Sequence, residues 1–375
     1  MNRAVHAPGQ EHSVPWFWPM AAGVELADRG LELFTDNLKF AAAAGAIEAP
    51  PAPPWATRNR VFLELDTQCV RDFSAARARG TPVLVVAPYA GHRATIADYR
   101  RGQSLVETLM QSGLGRVLVT DWKAATPEMR DFDIDVYLAE LNVAIDELGG
   151  KAHLVGLCQG GWMSAMFAAR FPGKVSSLVL AGAPIDTQAG HGAIRKLANR
   201  LPMSFYEEIV AAGGGLMRGK FMLAGWKSMH PDEQYLDKYL DLYSHIEDKS
   251  YVSRTERFAR WYENPIDLPG RWYLQAIREL FKEDRLARGR FVALGRRLSL
   301  RDIRVPAYLL AGDADDITPR EQVFAAERLF GTPRRGIVKK LTPGGHIGLF
   351  MGTRTLRETW PTIAAWILRQ DAKRR

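Results

Sequence analysis

Three residues of this chain have the types and order for acyl-transfer chemistry: Cys158, an aspartate near position 315, and His346. Cys158 stands in Gly156-Leu157-Cys158-Gln159-Gly160, a Gly-x-Ser-x-Gly pattern with sulfur in place of the serine oxygen. The apolar Leu154, Val155 and Leu157 read as a buried strand in front of it. Trp162, Met163, Met166 and Phe167, at helical spacing, read as a helix behind it. A nucleophile on a sharp strand-to-helix corner has poor backbone geometry, so small residues must flank it. The corner lifts the sulfur clear of the sheet and sets the Gln159 N–H at a helix N-terminus, where it can hold an oxyanion.

Taken alone, a cysteine is more often a buried structural thiol, and context has to decide. His346 follows two glycines in Pro343-Gly344-Gly345-His346, just after a predicted strand. Three aspartates, 313, 315 and 316, follow another. Asp315 is the choice for the acid, because it lies three residues past Gly312, where the loop turns its carboxylate toward a histidine; Asp316 is the reserve. The acid would fix the imidazole's tautomer, and the imidazole would move the proton between sulfur and leaving group. The order nucleophile, acid, histidine is that of the α/β-hydrolases. The second oxyanion donor is expected in the loop Tyr89-Ala90-Gly91-His92-Arg93, as the N–H of Tyr89 or of Ala90. His92 reads equally as a substrate-polarising group and as an ordinary loop histidine.

The elements that must position these residues alternate regularly. Val61–Leu65 and Cys69–Phe73 read as a hairpin. Pro82–Pro88, Arg116–Trp122, the nucleophile strand, Val175–Ala183, Pro306–Gly312 and Gly336–Leu341 read as parallel strands, their apolar runs suited to burial on both faces. Helices are expected at 96–112, 134–148, 320–330 and 354–369. This β-α-β rhythm predicts an α/β class chain of α/β-hydrolase fold, a mostly parallel central sheet with an inserted helical cap. The expected divisions are an N-terminal arm (1–55), core (56–184), cap (185–300) and core again (301–375). The arm carries an aromatic stretch at 14–20, an amphipathic helix at 22–46 and a proline-rich linker at 50–54. The cap's many aromatics are expected to form mostly its own core.

Composition excludes several classes. The 375 residues are 47% hydrophobic and 25% charged, ordinary for a globular chain. Two cysteines, Cys69 and Cys158, make neither a disulfide framework nor a zinc site, and point to a reducing, cytoplasmic setting. Cys69 is expected in the core. The net charge of +8 comes with no Lys/Arg block interleaved with aromatics, which argues against nucleic acid. No signal peptide is recognised, and no run reaches the roughly 18 apolar residues that span a bilayer. No metal or organic cofactor is expected.

Longer stretches carry a family resemblance. Residues 85–95 (VVAPYAGHRAT), Val119–Trp122, Gly182–Asp186, Trp272–Phe281, Asp315-Asp316-Ile317 and Gly345–Phe350 resemble the intracellular thiol-type polyhydroxybutyrate depolymerases and their relatives, the polyhydroxyalkanoate synthases. The resemblance runs from about residue 80 to 370. It implies Cys158 as nucleophile, Asp315 as orienting acid and His346 as base. It implies a polyester granule or a 3-hydroxyacyl ester as substrate, coenzyme A as acyl acceptor or donor, and a place on the granule surface; a homo-oligomer is compatible with it. Two features are mixed. The doubled Gly160-Gly161 is synthase-like, whereas Asp316 stands where synthases often carry histidine. The expectation is a depolymerase cleaving poly(3-hydroxybutyrate) by hydrolysis or thiolysis. A synthase is the alternative, and a non-catalytic granule protein the third reading.

Overall fold

The computed structural model describes residues 53–75, 77–229, 257–258 and 261–372. The aromatic stretch and the amphipathic helix expected in the arm lie outside these residues. So do Tyr235, Tyr239, Tyr243 and Tyr251 of the expected cap. The chain divides into two compact units: Ala49–Met222 with Glu256–Arg375, and Met1–Glu48 with Leu223–Thr255. Of the second, residues 223–229 are described, the end of the helix Gly219–Met229.

The first unit is built on an eight-stranded sheet: β1 (Arg60–Glu64), β2 (Gln68–Asp72), β3 (Val83–Val86), β4 (Val117–Trp122), β5 (Ala152–Leu157), β6 (Val175–Ala181), β7 (Ala307–Gly312) and β8 (Ile337–Thr342). Their spatial order is β1-β2-β4-β3-β5-β6-β7-β8. β2 runs antiparallel to both its neighbours, and every other pairing is parallel. Burial follows position. The central β3, β5, β6 and β7 are buried at every residue, as strands covered on both faces must be. The edges β1 and β8 are largely exposed, and Lys339 and Lys340 on β8 discourage pairing with another chain.

The order of the strands fixes where chemistry can occur. From β3 the chain moves outward to β4 and then returns to the other side of β3 as β5. The C-terminal ends of β3 and β5 therefore lie side by side at a switch point, where open α/β sheets form their binding crevice. Loops from β3, β5, β7 and β8 all emerge at that end.

The helices named below are α1 (Leu105–Gln111), α2 (Ile134–Glu147), α3 (Gln159–Arg170), α4 (Ala193–Arg200), α5 (Met203–Ala212), α6 (Gly219–Met229), α7 (Gly270–Gln275) and α8 (Trp360–Ala372); further short ones lie between α7 and α8. Three expected helices differ, 320–330 being divided into Arg320–Phe324 and Ala326–Leu329. Residues 96–112 do not form one helix: Ala94–Asp98 is a 3₁₀ turn and α1 begins at Leu105. Gly102 takes a left-handed φ of 72° between them. Ser104 caps α1 by accepting from Glu107 N at 2.9 Å, and its hydroxyl donates to Asp98 at 2.6 Å. The final helix is split into Thr353–Glu358 and α8. Pro361 in the first turn of α8 has no N–H to continue the earlier ladder.

Between β6 and β7, neighbours in the sheet, the chain inserts residues 182–306. The described part holds α4 to α7, a π-helical continuation of α7 (Ala276–Lys282), and two short ladders, Leu216–Met217 with Leu268–Pro269 and Val292–Ala293 with Arg296–Arg297. Among its described aromatics, Phe205, Tyr206 and Tyr273 pack together, as do Phe258, Trp261 and Tyr262, while Trp272 reaches outside the insertion. Trp272 sits 5.2 Å from Tyr89 and 5.7 Å from Trp162, ring centre to ring centre. These rings fasten the insertion to the loop after β3 and to α3.

Candidate active site

Cys158 forms the corner between β5 and α3, with φ 50° and ψ −116°. A non-glycine residue in so sparsely populated a region costs about 1–3 kcal/mol, and its surroundings must impose it. Here the Cys158 N–H donates to the Ala181 carbonyl and the Gly161 N–H to the Cys158 carbonyl, both at 2.9 Å.

The glycines of the box are required by close packing. A Cβ on Gly156 would lie 2.5 Å from the Gly161 Cα, and one on Gly160 would lie 2.0 Å from the Val86 carbonyl oxygen. On Gly161 it would lie 2.2 Å from the Ala183 Cβ. All three are below any real Cβ contact, so α3 is pressed against the ends of β3 and β6 with no room for a methyl group. The doubled Gly160-Gly161 is thus a demand of this corner.

The structure brings Asp315 and His346 together across the ends of β7 and β8. His346 Nδ1 lies 2.7 Å from Asp315 Oδ2. The other carboxylate oxygen accepts from the backbone N–H of Ile317 at 3.1 Å and of Thr318 at 2.8 Å, which fixes its direction. Asp313 is exposed and accepts from the Gly344 N–H at 2.9 Å, so it ties the two loops together. Asp316 is exposed, and its backbone carbonyl accepts from Ala193.

His346 is bonded to Asp315, and Cys158 also acts on its imidazole. Burial works against a charged imidazole. The influence of Cys158, the charge of Asp315 and its hydrogen bond outweigh it, and His346 is raised to about 10. Cys158 is 6% exposed and the Asp315 side chain 0%, so these groups interact in a medium that screens them little.

Sequence reasoning missed the wall behind His346. Gly182, with φ 55°, faces the imidazole, and Phe350 meets the ring edge-on at 5.3 Å. A glycine directly after an apolar strand was the available signal. Gln159 opens α3, so its N–H is the first in the helix and has no acceptor within it. The loop after β3 begins against this first turn, at Val86 and Ala87. Tyr89 is fully buried, its hydroxyl held by the Lys123 and Asp267 carbonyls at 3.2 and 3.3 Å. Ala90 follows and is half-buried. His92 is engaged elsewhere: its ring stacks on Trp261 and Tyr262. Cys69 is half-buried on β2 rather than in the core, and burial pushes its thiol up, reinforced by the charge of Glu64.

Among the described residues no group of three or more metal-ligating side chains comes together, and no helix is long and apolar enough to cross a membrane.

Residues 67–357 match the family described as protein of unknown function (DUF3141). A Poly(3-hydroxyalkanoate) polymerase subunit PhaC of Haloferax mediterranei is 26% identical over 291 residues, 76% of this chain and 58% of that protein. The chain thus spans little more than half the length of that relative. The protein of the same name from Allochromatium vinosum is 24% identical over 338 residues, 88% of this chain and 92% of that one. Among solved structures, a monoacylglycerol lipase of Paleococcus ferrophilus superposes with a TM-score of 0.51 at 17% identity, over 81% of this chain and 99% of its own. Carboxylesterase work on Nitrososphaera gargenis supplies another, with a TM-score of 0.51 at 16% identity, over 82% and 98%. The central sheet and these likenesses identify the α/β-hydrolase fold.

Proposed function

We propose that this chain, which belongs to the family described as protein of unknown function (DUF3141), is a cysteine-dependent acyltransferase that builds polyester from 3-hydroxyacyl-coenzyme A. The observation that carries the acyl-transfer reading is the pairing of His346 with Asp315, Nδ1 2.7 Å from the carboxylate, together with Cys158 on the strained corner between β5 and α3.

The Cys158 sulfur, paired with protonated His346, attacks the thioester carbonyl. The carbonyl oxygen becomes an oxyanion, held by the Gln159 N–H and by the N–H of Tyr89 or Ala90. Coenzyme A leaves as the thiol, taking the proton from His346, and the acyl group stays on Cys158. His346 then accepts the proton of a chain-end hydroxyl, whose oxygen attacks the acyl-cysteine. An ester forms and the sulfur is released. Asp315 holds the imidazole in one tautomer throughout.

Direction follows from bond energies and from the relatives. Exchange between thioesters is nearly balanced, and passage from thioester to oxygen ester is downhill, so a coenzyme A donor drives synthesis. The sequence reading had put depolymerisation first. The relatives named above carry polymerase names, and the Gly160-Gly161 box is synthase-like, so the alternative takes precedence. Depolymerisation by thiolysis would run through the same acyl-cysteine in reverse.

The test mixes purified protein with 3-hydroxybutyryl-coenzyme A and follows thiol release, the mass of the Cys158 peptide and polymer formation. A 3-hydroxybutyryl group on Cys158 is the expected result. A parallel sample of amorphous polyhydroxybutyrate with coenzyme A reads the reverse reaction. Soluble acyl-coenzyme A formed there, with no acylation in the first sample, would overturn the synthetic direction.

A further inference from the structure

We propose that His92 is a positioning residue: seated on Trp261 and Tyr262, it holds the loop that offers the second oxyanion donor. The proposal rests on the acyl-transfer reading above. The loop begins pressed against α3, where there is no space between Gly160 and the carbonyls of Val86 and Ala87. β3 ends at Val86, and past Tyr89 the loop is fastened to the inserted segment at three places.

Those fastenings converge on three consecutive residues. The His92 ring stacks on Trp261 at 4.8 Å and on Tyr262 at 5.0 Å, with interplanar angles of 23° and 24°. Its Nε2 is 3.1 Å from the Tyr262 carbonyl oxygen; a carbonyl only accepts, so Nε2 carries the proton and donates. The Trp261 indole N–H donates to the Arg93 carbonyl at 3.3 Å, and the Ile266 N–H to the Gly91 carbonyl at 2.8 Å. Gly91 itself has φ 86°, and Met222 fills the space a side chain would need, its sulfur 2.7 Å from a Cβ built there.

An oxyanion donor works only if its N–H is aimed before the charge develops. In a loop outside the sheet ladder, side-chain contacts help to aim it. His92 adds two ring contacts and a hydrogen bond one residue beyond Gly91. Cys158, Asp315 and His346 stand on other loops and are held by other contacts. Releasing His92 should therefore blur the oxyanion donor while leaving the nucleophile, base and acid in place.

Two reactions of Cys158 separate these effects. Alkylation by iodoacetamide is displacement at a saturated carbon and forms no oxyanion. Acylation by 3-hydroxybutyryl-coenzyme A forms one. For His92→Ala the alkylation rate should stay within about twofold of the parent, while single-turnover acylation falls on the order of 100-fold, the low end for loss of one donor. His92→Phe keeps the stacking and should recover most of the loss. Trp261→Ala removes the other side of the stack and should reproduce the His92→Ala pattern.

Acylation by His92→Ala at the parent rate would overturn the proposal. So would an equal fall in alkylation and acylation, which would mean that the nucleophile itself is disturbed. Acylation that persists in Cys158→Ala would instead remove the underlying reading, and the Cys158 variant alone reports that.

Discussion

Gly182 leaves the space beside His346 that a side chain would fill: a Cβ there would lie 3.1 Å from the imidazole Cε1, 3.3 Å from Nδ1 and 3.0 Å from Leu349 Cδ1. Gly182 follows directly on β6, with φ 55°. A side chain there would crowd the imidazole that bonds Asp315.

Gly182→Ala should therefore act on the base while leaving the nucleophile untouched. The new methyl group must push the ring by a few tenths of an ångström, and the left-handed φ adds about 1–2 kcal/mol of strain. A drop in kcat of on the order of tenfold or more is expected with KM little changed, because the ring is displaced in every step that moves a proton. Steady-state kinetics and a melting curve check this; parent-like kcat would show that the ring tolerates the shift.

Cys158→Ala should abolish acyl transfer and leave the fold intact, since the alanine keeps the Cβ at this corner and loses only the sulfur. Cys158→Ser should retain weak activity at best, as His346 is set to serve a thiol. Thiol labelling of the parent followed by peptide mass analysis should modify Cys158 faster than Cys69, whose thiol burial pushes up. Labelling that favours Cys69 would count against a nucleophilic Cys158.

Asp315→Asn should lower kcat by up to about 10⁴-fold, as loss of the orienting carboxylate does in serine triads. It should also lower the His346 pKa from about 10, visible by NMR titration of the imidazole. The sign of the stability effect follows. The folded value lies above the roughly 6.5 of an unfolded imidazole, so the protonated pair stabilises the fold fully below about 6.5. That contribution fades as pH rises toward 10. The parent's advantage over Asp315→Asn in denaturant unfolding should be largest near pH 6 and shrink by pH 9. An advantage that grew with pH would contradict this electrostatic arrangement.

Asp316→Asn should leave kcat within a few-fold of the parent, because Asp316 is exposed and the hydrogen bond to His346 comes from Asp315. A loss as large as that of Asp315→Asn would reassign the acid.

Gly160→Ala tests the corner itself. Its Cβ would meet the Val86 carbonyl at 2.0 Å, and backbone on both sides cannot yield cheaply. Misfolding or a loss of several kcal/mol is expected, as for severe overpacking of a core. Soluble expression with an unchanged melting temperature would show that α3 is less tightly docked than described.

The sequence alone determined the type and order of the elements and of the candidate site residues. Apolar runs mark β3, β5, β6 and β7 because a strand buried on both faces has no polar face to show. The Cys158 box and the loops bearing Asp315 and His346 are legible because each follows such a run. Local signals also misled: residues 96–112 read as one helix until Gly102 and the Ser104 cap divided them. Only the tertiary structure chose among Asp313, Asp315 and Asp316, since that depends on which carboxylate meets an imidazole 31 residues away. It alone gave Gly160 and Gly161 their reason, because the atoms they make room for belong to β3 and to the end of β6. It also placed His92 on Trp261 and Tyr262, rings far along the chain. Periodicity records how each segment meets its own neighbours and solvent. Contacts between distant loops leave no period to read, and they appear only when the chain is folded.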